Sequence, residues 1–290
     1  MIRQTKGEKI FSVFNYIFLG LIALATLYPF IYVFSASTSS PELVVSGNVW
    51  LFPKGFNLEA YRYVIAMEDI WIAYGNTLFY TIFGVAVNIT LTVLGAYPLS
   101  KTRLKGRTVI GFAIAFTMWF QAGIVPFYLN IRDLNLLNTR TAIIFAFGVT
   151  TFFVILLRTF FQSIPDSLEE AAKIDGASDF QVLTKIFLPL SKPALATIAL
   201  FYAVQRWNGF FWAMVLLRDD SKIPIQVLLR KLVVELNMSD ELSAMMDRTF
   251  YSAETVIYAT IVVAIIPIVL VYPFIQKFFV KGIMVGSVKG

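Results

Sequence analysis

The sequence predicts an all-α integral membrane protein of six transmembrane helices, and three observations carry that reading. Hydrophobic residues fill 58% of the 290 positions and charged residues only 14%, against about 45–50% and about 25% in ordinary soluble domains. Six charge-poor stretches each supply the ~20 helical residues that cross a ~30 Å hydrocarbon core. Lys and Arg gather in the segments between these stretches and form no continuous basic face, so the net charge of +6 speaks for membrane orientation and against a nucleic-acid partner.

In chain order the spans are Phe14–Phe34, Asn76–Leu99, Val109–Ile131, Thr141–Phe161, Pro193–Leu217 and Thr255–Phe279. The first is longer than the ~7–15 apolar residues of a cleaved signal peptide, despite its basic flank and the small residues Ser35, Ala36 and Ser37 behind it. Arg158 and Lys277 sit near span ends, where long side chains snorkel to water. Pro29, Pro126 and Pro267 fall within or at the ends of spans, where each either favours a kink or is tolerated by neighbouring helices.

Orientation follows from the cations. Arg3, Lys6, Lys9, Lys101, Arg103, Lys105, Arg107, Arg158, Lys173, Lys185, Lys192, Lys277, Lys281 and Lys289 fall on one side. Lys54, Arg62, Arg132, Arg140, Arg218, Lys222, Arg230, Lys231 and Arg248 fall on the other, over longer loops. The excess places both termini in the cytoplasm. No linker, low-complexity tract or repeat interrupts the chain, so 1–290 reads as one transmembrane domain, with an inner connection 163–192 and an outer loop 218–252. Residues 223–236 in that loop suit a helix lying at the interface.

Chemistry is narrowed by what is missing. There is no Cys and no His, which removes thiolate and imidazole metal sites, cysteine nucleophiles and the commonest general acid/base. A membrane-embedded enzyme would need a catalytic cluster within reach of the bilayer, and the carboxylates lie mostly in loops. No phosphate-binding G-x-x-x-x-G-K-[ST] occurs, nor a single Gly-Lys dipeptide, and the six spans hold no Asp or Glu of the kind ion-coupled carriers use. The chain is expected to be non-catalytic, without metal or cofactor of its own.

The connection SIPDSLEEAAKIDGASDFQVLTKIFLPLSK spells two short helices. Pro165 suits a first turn, and Asp166 with Glu169 resembles a capping box. Gly176 supplies a left-handed stop, Ser178 with Gln181 forms a second capping box, and Pro189 helps end the second helix. Helical spacing groups Leu168, Ala171, Ala172 and Asp175 on one face, and Phe180, Leu183 and Phe187 on another. Helices of about ten residues are shorter than the ~12–15 that hold together alone, so these must pack on something else.

Glu170-Ala171-Ala172, three residues, Gly176, nine residues, Ile186, one residue, Leu188-Pro189 resembles the EAA signature of permease subunits in binding-protein-dependent ATP-binding-cassette (ABC) importers, with every fixed position filled. The resemblance implies a type I ABC importer permease fold in which this loop docks on a separate ATP-binding subunit. Glu170, Ala171, Ala172, Asp175, Gly176, Ile186, Leu188 and Pro189 would then carry the coupling. It further implies a homologous second permease, two ATP-binding subunits that hold the ATP and Mg, an extracellular solute-binding protein, and a lipid environment in a bacterial plasma membrane.

The whole chain is similar to carbohydrate-importer permeases of this family. Tyr97-Pro98-Leu99-Ser100-Lys101 matches an AYPLS-type segment, and Leu134-Asn135-Leu136-Leu137-Asn138-Thr139 a GLLNT-type outer turn with Asn for Gly. Trp207-Asn208 falls in span five. The tail from Phe279 to Gly290 resembles the Gram-positive oligosaccharide subgroup, in which Ser287, Val288, Lys289 and Gly290 would reach the ATP-binding dimer. Import of another small polar solute, or a non-transport scaffold, is the alternative.

Polar residues inside spans mark a cavity or a partner helix. Asn88, Gln121, Arg206, Trp207 and Asn208 are the candidates for a translocation path. Interhelical hydrogen bonding is the more ordinary account of Asn88 and Gln121. Arg206 either lines the path, where it would select an acidic sugar, or is a paired structural side chain. Aromatic walls for sugar stacking are too plentiful, at 16% of the chain, to single out.

Overall fold

The computed structural model describes residues 5–120, 122–238 and 252–287. Gln121, Val288, Lys289 and Gly290 lie outside the described residues, as do residues 239–251 of the 218–252 loop. The described residues contain no strand. The helices are α1 (Lys6–Ser37), α2 (Pro41–Val45), α3 (Glu59–Ala66), α4 (Glu68–Ser100), α5 (Arg107–Phe116), α6 (Ile124–Asp133), α7 (Arg140–Phe145), α8 (Thr151–Gln162), α9 (Asp166–Ile174), α10 (Asp179–Val182), α11 (Leu188–Leu190), α12 (Lys192–Asn208), α13 (Phe211–Leu216), α14 (Ile225–Met238) and α15 (Ala253–Ser287).

Three of the predicted spans are long helices. α1, α4 and residues 253–270 of α15 are each apolar and long enough to cross a membrane, and a fourth arises if the bent pair Asp179–Leu190 and Lys192–Asn208 counts as one. The other predicted spans are broken. Val109–Ile131 divides into α5 and α6 around Gly123, whose φ of +81° turns the chain just before Pro126, so Pro126 sits in a first turn and kinks nothing. Thr141–Phe161 divides into α7 and α8 at residues 146–150, and Pro193–Leu217 into α12 and α13 at Gly209 and Phe210.

Two compact units emerge from the packing, 1–70 with 229–267 and 71–228 with 268–290. In the first, Thr5 and Glu8 close a capping box at the start of α1, and apolar side chains are exposed from Ile10 to Phe34. Polarity returns at the far end, where Ser35, Ser37, Thr38 and Ser39 are buried. Ser35 donates to the Leu51 carbonyl at 2.7 Å and Ser39 accepts from the Lys54 amide at 2.9 Å. These hydroxyls satisfy backbone that the loop after α2 leaves open, around a small core of Ala36, Val44 and Val49.

The second unit holds the main core. Val93, Ala96 and Tyr97 of α4, Phe153, Leu157 and Phe161 of α8, and Ile198 and Tyr202 of α12 pack with Val182, Leu183 and Phe187 from the 163–192 connection. Side chains of that connection taken out of water contribute about 1.5–3 kcal/mol each, which supplies what its short helices lack alone.

Candidate functional site

The 163–192 connection is built largely as its local chemistry dictates. α9 ends in a Schellman motif: the Gly176 amide donates to the Lys173 carbonyl at 3.0 Å and the Ala177 amide to the Ala172 carbonyl at 2.9 Å. Gly176 holds φ at +81°, a region that charges any side chain a conformational penalty. Ser178 and Gln181 form the expected reciprocal box, with the Ser178 amide donating to Gln181 Oε1 at 2.8 Å and the Gln181 amide to Ser178 Oγ at 3.3 Å.

Three expectations for this segment are corrected. Pro165, not Asp166, occupies the N-cap, without a side-chain hydrogen bond, because Glu169 is drawn away by ion pairs to Lys101 and Arg103. The proposed faces also split. Leu168, Ala171 and Asp175 are exposed while Ala172 packs on the core, and Phe180 is exposed while Leu183 and Phe187 are buried. Pro189 does not stop the second helix cleanly. Lacking an amide hydrogen, it leaves a π-helical turn over Leu183–Phe187 in which the Leu188 amide reaches the Leu183 carbonyl. Ile186 and Leu188 lean on the core, and the chain then bends by 81° into α12.

The connection is clamped to the end of α4. Lys101 pairs with Glu169, both nearly buried, and its ammonium lies 3.5 Å from the Phe187 ring centre and 4.6 Å from that of Tyr97. Arg103 pairs with Glu169 and Asp179, Lys173 also pairs with Asp179, and the Tyr97 hydroxyl donates to the Asp179 carbonyl at 3.3 Å. What remains outside is an apolar surface, with Ile174 86% and Phe180 72% exposed beside Glu170, Ala171 and Asp175.

Hydrogen bonds from Lys173 and then Arg103 hold the Asp179 carboxyl below its ordinary value of 3.8. A depressed carboxyl stabilises the fold above its unfolded pKa, and that contribution is lost as pH falls through the folded value. Asp179→Asn is therefore expected to melt lower than the parent near neutrality and to flatten the acid limb of a thermal-melt series below about pH 4, where the two proteins converge. An unchanged acid limb would show that the cluster does not form in solution.

A second constellation lies where the fourth predicted span breaks. Arg206 donates from Nε to Asn88 Oδ1 at 3.0 Å, from Nη2 to the carbonyls of Ile144 at 2.8 Å and Phe147 at 3.0 Å, and from Nη1 to the carbonyl of Ile143. Asn88 is fully buried and donates to the Phe147 carbonyl at 2.6 Å. Helix ends leave orphan carbonyls, and non-helical backbone at membrane depth persists only where neighbours satisfy it. Arg206 and Asn88 do so here. A Cβ at Gly84 would approach Arg206 Nε to 2.7 Å, so α4 makes room for the guanidinium through that glycine.

Beside it is a cavity of 410 Å³ lined by Tyr80, Thr150, Tyr202, Gln205, Arg206, Asn208 and Trp212, among others. Trp212 packs against Phe127 and Phe147 at ring-centre distances of 4.5 and 5.8 Å. Of the candidate path residues, the structure brings Arg206 and Asn208 to this cavity. Asn88 backs it, and Trp207 is buried with its ring edge to Tyr74 at 6.1 Å. Phe147, Thr150 and Trp212 had no distinguishing signal in a chain so rich in aromatics.

The turn at residues 134–139 explains one departure from the family pattern. Asn135, which stands for Gly, has φ of +56° and Asn138 has +57°, and asparagine tolerates the left-handed region best after glycine. Asn138 also accepts from the amides of Arg218 and Asp219, both at 3.1 Å, which fixes the start of the 218–252 loop. α14 then forms close to where an interfacial helix was expected.

Residues 77–285 match the family described as binding-protein-dependent transport system inner membrane component. The chain belongs to that family. As a permease it is the membrane part of the system, separate from the subunit that hydrolyses ATP. It is 45% identical to the polygalacturonan/rhamnogalacturonan transport system permease protein YtcP of Bacillus subtilis, over 98% of this permease and 99% of the relative. It is 39% identical to Protein LplC of the same organism, over 99% and 97%. Among solved structures, a chain of a bacterial ABC transporter involved in import of the acidic polysaccharide alginate superposes with a TM-score of 0.90 at 50% identity, covering 96% of this permease and all of that chain.

Proposed function

We propose that this permease is one half of the membrane pore of an ATP-driven importer that takes an oligosaccharide from an extracellular binding protein into a bacterial cytoplasm. Six spans cross the bilayer, three of them broken, with both termini inside. A homologous second permease completes the pore, and two ATP-binding subunits hold ATP and Mg. The observation that carries the reading is the 163–192 connection, which presents Ile174 and Phe180 outward while ion pairs hold its inner side to α4. Glu170, Ala171, Asp175 and Gly176 lie on the presented side, where an ATP-binding subunit grips, and Ser287 to Gly290 add a tail contact.

The solute class rests on relatives whose names specify pectic polymers and alginate, and on a cavity with aromatic walls and amide and hydroxyl groups, the combination that binds sugars. Uronic-acid oligosaccharides are the first to test. Arg206 already directs its donors to three carbonyls and the Asn88 side chain, so a carboxylate would be read elsewhere.

Co-purification with an ATPase and a second permease is expected, together with ATP hydrolysis stimulated by the loaded binding protein. Gly176→Val should lower that stimulation about tenfold or more, because a β-branched residue at positive φ costs at least ~1 kcal/mol and removes the stop that shapes the docking surface. The open space around Gly176 means the effect arises from backbone alone. Full coupling in that variant with the ATPase attached would remove the role assigned to the loop.

A further inference from the structure

At the start of α5 lies a cavity of 500 Å³ lined by Thr102, Leu104, Arg107, Thr108, Val109, Phe112 and Arg158, with glycines between and no carboxylate. Two guanidiniums line it without partners: neither the Arg107 nor the Arg158 side chain makes an ion pair or hydrogen bond among the described residues, and the Nε of Arg158 is buried with nothing to donate to. A buried donor of this kind is costly to leave unbonded. Gly111 admits this guanidinium against the helix, since a Cβ there would stand 3.2 Å from Arg158 Nη1.

The backbone adds to the same field. Gly106 gives no side-chain cap, the first turn holds no acidic residue, and the Thr108 and Val109 amides find no acceptor. Carboxylates do approach Arg107 from its other side, where Asp166, Glu169 and Glu170 share a neighbouring groove, but Lys101 and Arg103 already engage Glu169. The cavity itself is unopposed positive charge with an apolar flank, as Val109 and Phe112 are exposed. Charge complementarity and that flank select one occupant.

We propose that this cavity binds the phosphate of an anionic phospholipid, with Arg158 and Arg107 gripping the headgroup and an acyl chain lying along Val109 and Phe112. Basic pockets between spans at the cytoplasmic face suit such headgroups, and guanidinium matches phosphate oxygens in bidentate fashion. The proposal rests on the reading of α5 as the inner end of a membrane span. It sets a lipid contact beside the groove lined by the clamped connection, with Thr102 and Arg107 common to both.

The test uses the assembled importer, purified from membranes containing phosphatidylglycerol, exchanged into detergent and weighed by native mass spectrometry. The parent should retain phosphatidylglycerol but not phosphatidylcholine, and Arg107→Gln with Arg158→Gln should lower retention by about tenfold or more. Each single substitution should lower it severalfold, which carries the test if the double variant fails to assemble. Inorganic phosphate in large excess should leave the lipid in place. Retention unchanged in assembled variants, or lipid displaced as readily by phosphate alone, overturns the proposal. Neither result touches the importer reading, which fails only if no ATPase accompanies the chain.

Discussion

Arg206→Met is expected to destabilise the permease by about 3 kcal/mol, because it strips donors from the carbonyls of Ile143 and Ile144 and each orphaned buried acceptor costs about 1–3 kcal/mol. The Phe147 carbonyl keeps its bond from Asn88, which limits the loss. Thermal denaturation of the purified complex and the yield of assembled importer both report it. Arg206→Lys should recover only part, since one ammonium cannot reach three carbonyls and an amide oxygen arranged for a planar fork. Gly84→Ala should act in the same direction from the other side. A stable Arg206→Met complex that lost uronate uptake while keeping neutral sugars would instead make the residue a substrate reader.

Lys101→Met should uncouple transport from ATP hydrolysis. Lys101 is where Glu169 of α9, Phe187 of the π-helical turn and Tyr97 of α4 meet, so its loss frees the connection to yield without moving α4. Breaking a largely buried pair costs about 3–5 kcal/mol when nothing replaces it, but Arg103 stays beside Glu169 at 3.3 Å. The fold should therefore survive with a loss nearer 2 kcal/mol. Binding-protein-dependent uptake is expected to fall about tenfold while the ATPase stays bound, and Lys101→Arg, which keeps charge and ring contacts, should restore most of it. Uptake and hydrolysis falling together, with the ATPase lost, would assign Lys101 to assembly instead.

How much of this was legible depended on the range of the interaction involved. The Gly176 stop and the Ser178–Gln181 box use atoms within a few residues, and both formed as spelled. The Asp166 box failed because Glu169 found stronger partners in Lys101 and Arg103, far away in sequence. Hydropathy found α1, α4 and the first part of α15 as long apolar helices, but it measures apolar length, not continuity. It could not show α7 and α8 as separate helices, since the groups that let the backbone break there, Asn88 and Arg206, come from two other segments. Both residues stood out as polar groups in apolar runs, yet nothing local identified carbonyls as their partners. Asn135 was visible only as a mismatch to the family turn until its left-handed backbone explained it.

The 81° bend at Ser191 has a mechanical consequence. A short arm set nearly square to a shaft acts as a crank: a sideways push on Asp179–Leu190 twists α12 about its long axis more than it slides it. Arg206 rides on that shaft roughly 20 Å away, at 1.5 Å per residue. Torque applied at the membrane surface would thus arrive as a turning of the guanidinium against the gap between α7 and α8.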